Sequence, residues 1–145
     1  MKSFSIEELE KSLKEIDELV KKEDVRQNCE KVYMIVESCI KILSEAEKEN
    51  LKEEFKKDKR DEWLIEFLEK QNWNTDLLWG AAYGLDNILY KKGTIKSKKI
   101  VEIWIKAWNL HKNGFHENLL KMESVINDIP IAREMFEITK KHLGI

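Results

Sequence analysis

Cys29, Val32, Val36, Cys39, Leu43 and Ala46 follow one another at spacings of three and four residues. A stripe kept for about five turns commits residues 24–46 to one long helix, buried along most of its length. Asp24, with Gln27 three residues on, supplies its start signal. A sheet fold of this size needs frequent turns, yet the 145 residues include only 5 Gly and 1 Pro, and no segment alternates with a period of two. The reading is all-α: residues 1–145 as a single-domain up-and-down helical bundle of about five to seven helices.

The remaining helices are read the same way. Ser5 and Glu8 form a capping box ahead of Ile6, Leu9, Leu13, Ile16 and Leu19, which predicts a helix over 6–22. Residues 52–62 are nearly all charged and read as a solvated linker or frayed helix end. A short helix carries Trp63, Leu64, Phe67 and Leu68. Asn74 or Thr75 caps the next, which ends before Gly93. Thr94 or Ser97 opens another, whose stripe Trp104, Trp108, His111, Phe115, Leu119 and Met122 keeps phase through Gly114. A mid-helix glycine costs about 1 kcal/mol against alanine, so a close neighbour is expected there. Asp128 is read as the cap of the last helix, with Pro130 in its first turn and Gly144 past its end.

Charge narrows the class of partner. Hydrophobic residues make up 42% and charged residues 37%, but the net charge is only −2. That balance excludes disorder and a generally basic nucleic-acid face. Arg is limited to Arg26, Arg60 and Arg133, and Gln to Gln27 and Gln71. A Lys/Glu-rich, Gln-poor surface is similar to that of proteins from hot environments. Cys29 and Cys39, roughly 15 Å apart on one helix, are too far for a mutual disulfide and read as buried thiols. No signal peptide and no apolar run of membrane-spanning length is seen, so a cytoplasmic location without membrane contact is expected.

Two blocks carry a resemblance. The first is Asp24-Val-Arg-Gln27-Asn-Cys-Glu30-Lys31-Val-Tyr33, continuing to Ile40-Lys41, and the second is Trp108-Asn-Leu-His111-Lys-Asn-Gly114-Phe115-His116-Glu117. Together they resemble the PaREP family of paralogous archaeal proteins, helical bundles similar to the HEPN superfamily. The resemblance implies a HEPN-like fold with the two block-bearing helices as its long central pair, and a homodimer. It also implies a link to RNA cleavage or to nucleotidyltransferases. Active HEPN members carry Arg, four intervening residues and His. Here the His is His116, and His111 stands in the Arg position. A guanidinium is a permanent cation with a fixed fork for phosphate, whereas imidazole is largely neutral at pH 7.

His111 and His116 are therefore the candidate catalytic residues. Five positions place them about 140° apart on an α-helix, flanking a cleft rather than sharing a face. As acid and base they would suit a phosphodiester. The alternative is a hydrogen-bonded core histidine at 111 with a local polar contact at 116. Gln27, Glu30, Lys31 and Glu117 are the candidate ligand-binding residues, either facing the histidines or serving as helix surface. His116-Glu117 begins like a zinc-protease helix, but position 120 is Leu, so no metal site is expected. No cofactor is implied.

Lys91, Lys92, Lys96, Lys98 and Lys99 form an acid-free run, read as a phosphate or RNA contact or as a solvated loop without a stacking platform. Trp63, Trp73 and Trp79 are expected at one bundle end. Trp104, Trp108 or Gly114 is placed near a dimer interface. The leading function is a dimeric helical module binding nucleotide or RNA. The alternatives are a metal-independent RNase using His116 with His111, and a plain protein–protein interaction domain.

Overall fold

The computed structural model describes residues 4–145, and all regular structure among them is helical. In chain order the helices are α1 Ile6–Lys21, α2 Val25–Ala46, α3 Lys48–Lys56, α4 Leu64–Glu69, α5 Thr75–Lys91 and α6 Ile100–Asn109. A π-helical segment, Leu110–His116, continues α6 directly, and α7 Met122–Val125 and α8 Ile131–Leu143 follow. Eight α-helices stand one above the upper end of the expected five to seven, and the elements not read individually from the sequence are α3 and the one-turn α7.

The axis is α2, whose 22 residues contact α1, α5, α6, the π segment and α8. Cys29, Val32, Val36, Cys39 and Leu43 are buried as their spacing requires. Both thiols are free. Burial, helped by the Glu30 charge, pushes the Cys29 thiol up to about 11, and burial pushes Cys39 up to about 12 against a lowering hydrogen bond with Thr139. Helix starts follow the caps read from sequence. Ser5 and Glu8 close their box at 3.2 and 3.0 Å. Asp24 accepts from the Gln27 amide, and Asn74 from the Leu77 amide. Gly144 adopts the left-handed conformation, φ 72°, that ends α8.

Four local readings change. Residues 48–56, half of them inside the charged run, form α3, because Leu51 and Phe55 are one turn apart and fully buried. Neither Thr94 nor Ser97 caps α6. Asp86 of α5 reaches across to accept from the amides of Ile100 at 2.6 Å and Val101 at 2.9 Å. Asp128 supplies no side-chain cap to α8, and Pro130 sits at the cap position. The stripe through Gly114 ends at His116, and Leu119 is exposed.

The tryptophans also regroup. Trp79 packs edge-on against Trp104 and near Trp108, with centroids 5.8 and 6.3 Å apart, whereas Trp63 is half exposed and meets Phe67. Trp104 is fully buried and Gly114 lies against Cys29, so neither is open to a partner chain. Among the described residues no helix is long and apolar enough to cross a membrane.

Candidate functional site

The π segment changes the geometry of the histidines. A π turn closes i→i+5 hydrogen bonds, as the Glu117 amide does to the Lys112 carbonyl at 3.0 Å. Residues five apart then stack on one face, so His111 and His116 are not splayed 140° apart. Their Nε2 atoms lie 3.1 Å apart, with ring centroids at 4.4 Å. On its other side His111 places Nδ1 3.1 Å from Glu30 Oε2. Glu30, His111 and His116 thus form one chain from the half-buried wall of α2 to an exposed imidazole.

Hydrogen-bond logic orders that chain. The Glu30 carboxylate only accepts, so His111 Nδ1 carries a hydrogen. With His111 neutral, its Nε2 presents a lone pair, and His116 must donate from Nε2. The Nδ1 of His116 is then left as a base with no partner among the described residues. A continuous hydrogen-bonded path therefore runs from His116 through His111 to Glu30. The two imidazoles thus stand side by side in one hydrogen-bonded chain, not on opposite sides of a cleft.

Packing holds these side chains in place. Tyr33 lies one turn after Glu30, and its ring stacks on His111 with centroids 4.0 Å apart and planes at 20°. Trp108 packs against both rings, tilted to His111 at 5.5 Å and edge-on to Tyr33 at 6.3 Å. The Tyr33 hydroxyl donates to Glu37. Burial first, then that bond and the charges of Glu37 and Glu30, push it above its ordinary range. Lys41 in turn donates to Glu37 at 2.9 Å. His111 is thus a hydrogen-bonded histidine inside the aromatic stripe, and its second nitrogen continues outward to His116.

Arg26, missed in the sequence reading, joins the site from the first turn of α2. Its Nε donates to the Phe115 carbonyl at 2.9 Å, and its guanidinium carbon stands 4.9 Å from the Phe115 ring centroid. The terminal nitrogens have no hydrogen-bond partner among the described residues and lie beside the residue preceding His116. Nothing in the sequence spacing announces a contact 89 positions apart. The other candidates are not drawn in. Lys31 turns to α1 and pairs with Glu15 at 2.7 Å. Gln27 and Glu117 are exposed, and their side chains make no hydrogen bond among the described residues. In the lysine run, Lys92 pairs with Glu47 and Lys99 with Glu134, while Lys98 lies over Tyr90. No group of three or more His, Cys, Asp or Glu among the described residues is arranged to hold a metal ion.

Fold and site together define an all-α protein with a carboxylate–imidazole–imidazole chain between its longest helix, α2, and a π turn. The chain belongs to the archaeal PaREP1/PaREP8 family, matching it over residues 4–136. Glu30, His111 and His116 all fall inside that match. No curated protein and no solved structure matches the chain.

Proposed function

We propose that residues 1–145 act as one HEPN-like domain that binds nucleotide or RNA and moves a proton at His116. What carries the reading is the Glu30–His111–His116 chain with its outer imidazole exposed. On an RNA phosphodiester, His116 Nδ1 takes the proton of the 2′-hydroxyl as that oxygen attacks phosphorus; the bond from phosphorus to the 5′-oxygen breaks, a 2′,3′-cyclic phosphate forms, and the proton held by the imidazole pair passes to the departing 5′-oxygen. His111 and Glu30 hold the charge that arrives, and the free edge of Arg26 pairs with the phosphate. Arg26 thereby supplies the permanent cation that His111 cannot.

The test is cleavage of single-stranded RNA in a chelator, with DNA of the same sequence as the substrate lacking the attacking hydroxyl. RNA is cut and DNA is not. His116→Ala lowers the rate by roughly a hundredfold or more, and Arg26→Ala raises KM. RNA bound but uncut leaves a binding module. No binding at low salt points to a protein–protein interaction domain. Melting temperatures supply an independent check, since residues kept for a ligand contribute little to folding. A drop of several degrees in both His116→Ala and Glu30→Ala makes the relay a structural network and overturns the assignment.

Homodimer assembly is a second part of the reading. It is favoured by Leu119, 70% exposed three residues beyond His116, where a second copy would cover it and bring two sites together. Light scattering that returns a monomer mass at high concentration rejects it.

A further inference from the structure

Beyond the C-terminal end of α2, away from the relay, three distant segments converge on one imidazole. Glu47, at the α2–α3 junction, is buried and heavily bonded. Lys92 Nζ donates to both of its oxygens at 2.8 Å, and Asn50 donates to Oε1 at 2.8 Å. His142, near the end of α8, places Nε2 2.6 Å from Glu47 Oε2. The opposite nitrogen of the same ring, Nδ1, lies 2.7 Å from Thr94 Oγ1. Thr94 follows Gly93, whose φ of 81° turns the chain out of α5, and it is only partly buried.

The carboxylate fixes the tautomer. His142 Nε2 carries the hydrogen and donates to Glu47, so neutral His142 offers its Nδ1 lone pair to the Thr94 hydroxyl, which donates. Hydroxyl, imidazole and carboxylate then stand in the order that activates an alcohol as a nucleophile. A clamp fastening α8 to α2 needs only the His142–Glu47 bond. It does not need a hydroxyl on the far nitrogen, nor a carboxylate held by two further donors.

We propose that Thr94 is an acyl acceptor, activated by His142 with Glu47 orienting the ring, and that it takes the acyl group of an activated ester or thioester. Thr94 Oγ1 bonds to the acyl carbon as its proton moves to His142 Nδ1. The bond from that carbon to the leaving oxygen or sulfur breaks, and the leaving group departs with the proton. Water later hydrolyses the threonyl ester, releasing the acid and restoring the hydroxyl. Threonine is a crowded secondary alcohol, so the ester both forms and clears slowly. Glu47 and His142 act here as positioning residue and base, independently of the reading of His116.

The experiment treats the full chain with p-nitrophenyl acetate at neutral pH, follows p-nitrophenolate release and maps acetylation by peptide mass spectrometry. The expected result is a single acetyl group on Thr94, removable by hydroxylamine as an ester is. It is retained as the serine ester in Thr94→Ser and absent in Thr94→Val. In His142→Gln its formation slows by roughly a hundredfold. Wild-type chain unfolded in urea is the control that needs no folded variant, and there Thr94 stays unlabelled. Acetyl groups confined to lysines overturn the proposal. So does Thr94 labelling at the same rate in urea or in His142→Gln.

Discussion

Gly114 and Cys29 meet where the π turn crosses α2, so closely that a Cβ on Gly114 would stand 2.9 Å from Cys29 Cβ and nearer still to its sulfur. Both residues are buried and neither backbone is free to move alone. Gly114→Ala must push the two elements apart, at about 1–3 kcal/mol, and it loosens the turn that carries His111 and His116. Thermal unfolding should show a melting temperature several degrees lower. Cys29→Ala added to it removes the sulfur and should recover part of the loss. An unchanged melting temperature for Gly114→Ala would show that the approach is not tight.

That contact was legible in advance because a glycine kept in phase inside an apolar stripe needs a neighbour to justify it. So were α1 and α2, whose periodicity and caps agree, and the meeting of the two motif blocks. The relay was not. Periodicity assumes 3.6 residues per turn, and under that assumption His111 and His116 diverge, whereas the π turn aligns them. Arg26 was hidden because its partner is a backbone carbonyl, which leaves no mark in side-chain pattern. Residues 48–56 were obscured by charge, since two apolar residues carry the whole buried face of α3.

Asp86 is a cap supplied from another helix. It is buried, and it accepts the amides of Ile100 and Val101 that begin α6. Asp86→Ala leaves both donors without a partner and should cost about 2 kcal/mol, the upper end for a lost cap. Asp86→Asn keeps one acceptor and should cost less. Hydrogen exchange at the amides of Ile100 and Val101 should quicken in the alanine variant. Unaltered protection there would mean the carboxylate is not what satisfies them.

Glu47 governs the response to acid. Burial alone raises a carboxyl, but hydrogen bonds from Lys92, Asn50 and His142 outweigh it and hold Glu47 at about 2, below its ordinary 4.5. A group depressed on folding contributes stability that is fully present above the unfolded value and is lost as pH falls through the folded one. The Lys92 side chain is 47% exposed, so the contribution is about 1–2 kcal/mol once screening is counted. Melting temperature should fall between pH 4.5 and 2, and Glu47→Gln should remove most of that slope. A variant with the same slope as wild type would place the acid sensitivity elsewhere.

Glu37 and Lys41 form the most deeply buried lysine–carboxylate pair among the described residues, at 2.9 Å with side chains 10% and 5% exposed. Desolvating two charges offsets most of their attraction, so the pair itself adds little. Breaking it is different, because one charge is then buried alone. Lys41→Met should cost about 3–5 kcal/mol, whereas replacing both residues by Met should restore most of that. The double variant still leaves the Tyr33 hydroxyl, which donates to Glu37, without an acceptor, a penalty of about 1–3 kcal/mol. Adding Tyr33→Phe removes that donor while keeping the ring that stacks on His111. The triple variant should therefore match wild type within about 1 kcal/mol in chemical denaturation. If the triple variant stays as unstable as Lys41→Met, the polar ladder of α2 is needed for folding in its own right, and burial of a single uncompensated charge does not explain it.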